Sequence, residues 1–530
     1  MKLTALSRLW ARGVILAFLF TLTTGNFTLG ASIEDYVKNY REPADPPWLA
    51  VGPTLKEFYA KRGYLTAWDR TKAKALIEAV SEADKDGLDP QLYGLKEANS
   101  IIESTETETF SPRADIFFTE IFLRYALHLS QGRLDPEKFY PEWRSYKREV
   151  NLIDALNQAI ETGKVAKVLN ELAPQHPSYL RMKAELATLK KMASAGVKTT
   201  SLFDTLIAYG DLTVDSLDSL ENPTIRPKQL KEALRRFQWR HGLPPTGRLN
   251  QATQKALRIP LKEKIEQLEI NMERWRWLPD DFGSRYILTI LPDLTLYVID
   301  GGYTVLSMKT IIGTRKQPSP IFSGELAYIE LNPTWNIPNS IVVKEIIPKV
   351  LKEPDYLQKK RIRIFRDWSE SAPEISPRNI KWHRINPEKF PYRLTQDPGV
   401  NPLGRIKFIF PNEFDVYLHD TTERHLFNRE RRLYSHGCIR IEKPLELALW
   451  LLKDTEFGSL ERLRKEIRTR KRQKIELPQP ISVYIIYLTC WVDGNGILHF
   501  RPDYYEYDDL MKKALKTLRP SSPPPEISAP

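Results

Sequence analysis

Two short runs carry residue types suited to nucleophilic acyl chemistry: Tyr417-Leu-His-Asp-Thr421 and, across a loop, Ser435-His-Gly-Cys-Ile-Arg440. Strand alternation puts Tyr417 and His419 on one face, with Val416 and Leu418 turned to the core. Cys438 follows Gly437, so the backbone can turn tightly and leave the thiol and nearby N–H groups exposed. A thiolate is the competent nucleophile, and a neighbouring imidazole makes it accessible. Both His419 and His436 lie close enough to act as the base, and residue types alone do not choose between them. The N–H groups of Gly437 and Cys438 suit a developing oxyanion. Zinc is the rival use of His419, His425, His436 and Cys438, but their spacings match no finger and offer no i, i+4 pair, so no metal is expected. A lone cysteine is ordinarily a small buried hydrophobe; the His-Gly-Cys setting argues otherwise for Cys438. The other thiol, Cys490, sits in the apolar run Ile486-Tyr-Leu-Thr-Cys-Trp491 and is expected in a core. A Cys438–Cys490 disulfide would silence the nucleophile.

The elements that must position these residues occupy a chain of 530 residues, long enough for three or four domains. A 42% hydrophobic content excludes wholesale disorder, 28% charged residues exclude a polytopic membrane protein, and two cysteines exclude a disulfide scaffold. Residues 1–31 begin with Lys2, Arg8 and Arg12 and continue into an uncharged apolar run. A signal peptide cut at Ala31–Ser32 and an uncleaved membrane anchor both fit, and either exports the remainder. The net charge of +12 is concentrated at Arg462–Lys474 and at Lys359-Lys-Arg-Ile-Arg-Ile-Phe-Arg366. Export argues against nucleic acid and for an anionic polymer such as cell wall, although solvated helix faces explain such runs equally simply.

Residues 45–204 read as a helical scaffold, with Leu55, Phe58 and Tyr59 on one helix and Phe117, Ile121 and Tyr125 on another. No chemistry is expected there; its acids read as solvated and His128 as a packed core residue. Residues 205–262 form a compact module in which Leu230, Leu234 and Phe237 make a stripe, Gly242 stops the helix and Asn250 caps a second one. From Tyr286 the period drops to 2, with strands at 286–290, 294–298, 303–312, 325–331, 405–410 and 414–419 and a hairpin turn at Asp300-Gly-Gly302. These belong to a β-rich domain, 263–475, interrupted by a polar, Pro-spotted insertion at about 350–400 that reads as a mobile cap. Residues 476–530 carry one strand-like run (Ile481–Trp491) and a Pro-rich tail.

With these residues the chain resembles the L,D-transpeptidase family, whose signature is His, a loop, then Ser/Thr-His-Gly-Cys. The likeness extends to the large multidomain Gram-negative type: Asn271-Met-Glu-Arg-Trp-Arg-Trp-Leu-Pro279, Phe322-Ser-Gly-Glu325, Leu331-Asn-Pro-Thr-Trp-Asn-Ile-Pro338 and Phe390-Pro-Tyr-Arg-Leu394 all look like that subgroup. The Leu-x3-Leu-x2-Phe-Gln-x2-His-Gly pattern of 205–262 resembles a three-helix peptidoglycan-binding module. The implied fold is multidomain α+β: helical scaffold, peptidoglycan-binding-like module and capped β-rich catalytic domain. The resemblance implies Cys438 as nucleophile, His419 as base and the Asp420 carbonyl as the group that orients it. It places His436, Gly437 and Arg440 along the acyl site, Arg440 standing where smaller relatives have Asn, with Ser435 beside them, and puts Tyr417 and Trp335 beside the substrate. The implied reaction is 3→3 cross-linking of periplasmic peptidoglycan stem peptides without a cofactor, with carbapenem sensitivity and other cell-wall synthases as partners. An L,D-carboxypeptidase, a protein-anchoring enzyme and a non-catalytic wall-binding scaffold are the alternatives.

Overall fold

The computed structural model describes residues 31–41, 49–140, 148–197, 201–212, 227–369, 371–386, 390–518 and 521. The leader reading of residues 1–31 and the Pro-rich tail fall almost wholly outside these. Among the described residues no helix is long and apolar enough to cross a membrane.

The scaffold is built around helix Pro112–Gln131, capped by the Ser111 hydroxyl and buried along most of its length. Phe117, Ile121 and Tyr125 line it as their spacing predicts, and Leu55, Phe58 and Tyr59 pack from helix Gly52–Lys61. His128 is buried, with Nδ1 3.0 Å from the Tyr93 hydroxyl. Three of the acids, Asp86, Asp115 and Glu120, depart from the solvated reading. Asp115 is buried because it accepts from the Tyr59 hydroxyl (2.6 Å) and from the backbone N–H of Trp68 (2.9 Å), and Glu120 pairs with Arg124 at 3.1 Å.

The small module packs helices Leu202–Ala208, Pro227–Arg240 and Gln251–Leu257 around Leu206, Leu234, Phe237 and Leu257. Gln238 is fully buried; its amide donates to Arg248 O (2.8 Å) and accepts from Gly247 N (2.8 Å), fixing the loop between the helices. The His241 ring stacks on Phe500 at 5.3 Å, and Arg501 donates to Arg240 O at 2.9 Å. Lys264, buried between these parts, lies 3.2 Å from His241 Nε2, and burial lowers its pKa to about 7.

Among the described residues fourteen strands follow. β1 is Arg285–Ile290, β2 Thr295–Asp300, β3 Tyr303–Gly313, β4 Phe322–Leu331, β5 Trp335–Asn336, β6 Ile362–Phe365 and β7 Arg393–Gln396. β8 is Ile406–Ile409, β9 Leu418–His419, β10 Leu433–Ser435, β11 Ile439–Ile441, β12 Gln473–Ile486, β13 Cys490–Val492 and β14 Leu498–Phe500. Nine of them make one sheet in the order β10-β3-β11-β9-β8-β4-β12-β1-β2, and a further pairing of β2 with β3 closes eight strands into a barrel. The tight β2–β3 turn needs positive φ at two successive residues, which Gly301 (+60°) and Gly302 (+82°) supply.

Three expectations are corrected. The strand read at 414–419 shrinks to Leu418–His419, because Asp415 adopts φ +52° and leaves the ladder. The run Ile481–Trp491 is two elements, and β12 crosses the expected boundary at 475 to pair with both β1 and β4, so it belongs to the barrel. The cap starts at Trp335 rather than about 350; its strands pair in the order β5-β7-β6 over an apolar core of Ile337, Val342, Ile346, Leu357, Ile364 and Leu394.

The Asn271–Pro279 motif joins the parts. On helix Leu261–Trp275, buried Glu273 accepts from Leu134 N at 3.0 Å and pairs with Arg133 (3.2 Å) and Arg276 (3.0 Å). Arg274 reaches Asp508 at 2.6 Å, and Asn271 exchanges bonds with Thr489.

Candidate active site

One lateral row of the barrel carries most of the site. Register pairs Glu330 on β4 with Lys407 on β8, Lys407 with His419 on β9, and His419 with Arg440 on β11. Directly opposed residues share a face, so a carboxylate, an ammonium, an imidazole and a guanidinium stand side by side. The rows around them are apolar: Ile329, Phe408, Leu418 and Ile439 pair in the same way.

Cys438 sits at the mouth of β11, partly open to solvent, 3.8 Å from Asp415 O. The backbone ahead of it is pinned. The buried Ser435 hydroxyl donates to Cys438 O (2.5 Å) and accepts from Gly437 N (3.2 Å). Gly437 holds φ +119°, a conformation that side chains resist, and its carbonyl accepts from Ser319 Oγ at 2.6 Å. Two expectations change here. Ser435 is buried and spent on its own loop, so it positions the cysteine rather than facing a substrate. The Gly437 N–H is engaged by that hydroxyl, which leaves the Cys438 N–H as the remaining one of the two expected oxyanion donors.

His419 is buried, with Nδ1 2.5 Å from Asp420 O. A carbonyl only accepts, so Nδ1 carries the proton and Nε2 is left as the acceptor. The Asp420 carboxylate is held separately by Arg405 N (2.9 Å) and Arg424 (3.0 Å). Tyr417 packs edge-on to His419 with ring centroids 5.6 Å apart, and Lys407 Nζ lies 3.8 Å from the centre of the Tyr417 ring. Arg440 is buried and paired with Glu423 at 2.5 Å. His436 stands outside this cluster, half-exposed, 2.5 Å from Glu345 on the cap segment Val342–Ile346. Trp335 lies on the cap, in β5, packed against the cap core.

The electrostatics follow from burial. Desolvation and the flanking Arg440 cation lower the His419 pKa to about 3, against the Asp420 carbonyl that favours the imidazolium. The imidazole is therefore neutral at any ordinary pH. Burial pushes the Cys438 thiol up, opposed by hydrogen bonds from the Tyr417 backbone and hydroxyl and by the charges of Lys407 and Arg440. Burial and Cys438 hold the Tyr417 hydroxyl well above its usual range, so it stays a donor. Among the described residues no cluster of three or more His, Cys, Asp or Glu residues could hold a metal ion.

A neutral imidazole on β9 and a partly exposed thiol at the mouth of the neighbouring β11 coincide with a family match. Residues 284–462 match the L,D-transpeptidase catalytic domain. Over these residues the chain is similar to the L,D-transpeptidase family. Residues 53–186 match a family described as "Scaffold domain", and residues 206–257 match the "Putative peptidoglycan binding domain". A protein of Haemophilus influenzae named "Putative L,D-transpeptidase" is 31% identical over 261 residues, which is 47% of this chain and 52% of that protein. The chain thus spans about half the length of the curated relative it matches. Among solved structures, an L,D-transpeptidase from Mycobacterium smegmatis aligns at 11% identity over 38% of this chain and 58% of its own, with a TM-score of 0.18. One from Stackebrandtia nassauensis aligns at 12% identity over 49% and 78%, with a TM-score of 0.19.

In this L,D-transpeptidase domain three residues lie in or beside the site that the motif reading passed over. Lys407 had a usable signal: in Arg405–Phe410 the apolar Ile406 and Phe408 alternate with it, which puts a charge on the face opposite the core. Glu345 and Ser319 had none, since neither lies near the His-Gly-Cys run in sequence.

Proposed function

We propose that the chain is a peptidoglycan L,D-transpeptidase that works through a Cys438 thioester. The observation that supports this most is the neutral His419, oriented by the Asp420 carbonyl and held one strand from Cys438 in a barrel matching that catalytic family. In this reading the Cys438 S–H bond breaks as Nε2 of His419 takes the proton, and sulfur bonds to the carbonyl carbon at the L-centre of the third-position diamino acid of a tetrapeptide stem. The carbonyl electron pair moves to oxygen, beside the Cys438 N–H. As it returns, the C–N bond to the terminal D-Ala breaks and His419 hands its proton to the departing amine. A side-chain amine from a second stem then attacks the thioester, giving a 3→3 cross-link and regenerating the thiol. Arg440, Tyr417 and, from the cap, Trp335 line the path of the stem, while Ser435 and Gly437 set the cysteine. Work of this kind belongs outside the cytoplasm, in the periplasm, and the module at 206–257 would hold the enzyme to the wall.

The test is to incubate the full chain with disaccharide tetrapeptide and weigh the intact protein. The proposal expects an adduct equal to the stem less D-Ala, lost in Cys438→Ala. Folded protein without the adduct would refute it and favour a non-catalytic wall binder. Released tripeptide without cross-linked dimer would instead assign an L,D-carboxypeptidase.

A further inference from the structure

The charged row contains a cation that the proposed chemistry has not used. Lys407 stands between Glu330 and His419 in register, and its ammonium lies on the face of the Tyr417 ring, 3.8 Å from the centroid. Tyr417 is the neighbour of Cys438 across β9 and β11: Leu418 pairs with Ile439, and Tyr417 O accepts from Ile439 N at 3.2 Å. The ammonium thus lies on the ring of the residue that neighbours the cysteine across the strand pair. The neighbouring cations are already paired: Arg440 with Glu423 at 2.5 Å and Arg472 with Glu330. Among the described residues Lys407 has no carboxylate within ion-pair distance; Glu330, its register neighbour, is engaged by Arg472. Half-buried and without a direct carboxylate partner, its charge is screened by little water.

The imidazole cannot supply the positive charge that cysteine nucleophiles commonly receive from a protonated histidine. His419 is flanked on both sides by cations, Lys407 and Arg440, and those same charges disfavour imidazolium and favour thiolate. We propose that Lys407 is the electrostatic partner of Cys438, stabilising the sulfur as it becomes anionic while His419 serves only as a proton acceptor. The proposal rests on Cys438 being the nucleophile. Lys407 acts across the Tyr417 ring without touching the reacting atoms, so it is a positioning charge. Besides Cys438, the groups that act on it are Glu330 from β4, Arg472 ahead of β12 and Asp415 from the turn before β9.

The experiment is the pH dependence of Cys438 alkylation by iodoacetamide in the full chain, with Cys438→Ala as background. It measures the sulfur directly and requires no transpeptidation, so it stands even if the substrate reading fails. An opposite charge within about 4–6 Å shifts a titration by about one to three units, and one acting across a ring is taken at the low end of that range. Lys407→Met should move the alkylation midpoint up by about one unit and slow alkylation about tenfold below it. Lys407→Arg should restore most of the rate, and the circular dichroism melt should stay close to that of the parent in both. Acylation by disaccharide tetrapeptide should lose kcat at nearly constant KM. An unshifted alkylation profile in folded Lys407→Met would overturn the proposal. So would a rise in KM alone, which would make Lys407 a receptor for a substrate carboxylate.

Discussion

Ser319 is the residue through which the barrel reaches the nucleophile loop, and its removal gives the sharpest test of how that loop is held. Its buried hydroxyl donates to Gly437 O at 2.6 Å and accepts from Gly313 N at 3.0 Å, while its own N–H donates to the Tyr505 hydroxyl at 3.3 Å. Ser319→Ala leaves a buried carbonyl and a buried N–H without their partner. Each such orphan costs about 1–3 kcal/mol, so the pair should cost about 3 kcal/mol. In a domain of this size that lowers the melting point by roughly 6–12 °C. A second effect is separable from stability. Gly437 at φ +119° relaxes once its carbonyl is released, and misplacement of a nucleophile by about 1 Å lowers its reactivity on the order of a hundredfold. Calorimetry gives the first quantity. The rate of Cys438 acylation, followed by intact mass well below the melting point, gives the second. A variant that melts with the parent and acylates at the parental rate would show that the Ser319 bridge holds nothing.

Four further outcomes are expected. His419→Ala should abolish acylation, while His436→Ala, which loses only a half-exposed contact to Glu345, should retain a measurable rate; the opposite ranking would reassign the base. Glu345→Ala should cost less than about 1 kcal/mol, as half-exposed pairs do, yet speed hydrogen exchange in residues 339–352 if that contact tethers the cap. Glu273→Ala, which strands Arg133 and Arg276 in the interior, should cost about 3–5 kcal/mol by chemical denaturation and loosen the scaffold from the barrel. His419 has a folded pKa of about 3, below its unfolded value, so its neutral burial stabilises the fold above pH ~6.5. That stability is lost as the pH falls from there toward 3, at up to about 1.4 kcal/mol per pH unit. His419→Gln should flatten this part of a stability–pH curve measured by urea titration.

The parts of the molecule legible in the sequence were those written in local periodicity or in contiguous motifs. Phe117, Ile121 and Tyr125 declared their helix, and Asp300-Gly-Gly302 declared its turn. β12 was obscured because Pro478 and Pro480 interrupt its local pattern, and the strand absorbs them in a register shift between Glu476 and Ile481. The cap was obscured because its core residues are scattered among prolines and charges; Ile337 and Leu394 meet only after the chain has gone out and back. The charged row was the least legible feature. Glu330, Lys407, His419 and Arg440 are brought together by strand register, which depends on turns far from any of them. The Asn271–Pro279 run was recognisable as a pattern, but its reason, buried ion pairs to Arg133 and Asp508, depends on residues distant in the chain.

The cap has a simple topological standing. β4 and β8 are antiparallel neighbours, with Leu331 directly opposite Ile406, so everything between them is the loop of a hairpin. Its two roots are tied together by Asn332 N to Arg405 O and by Asn401 Nδ2 to Pro333 O, both 2.8 Å. A loop whose ends are already closed can lengthen or shorten at little entropic cost to the barrel that carries it. The cap is thus free to change in size and surface over evolution, or to be exchanged by design for a short turn, while the chemistry-bearing row beneath it stays in register.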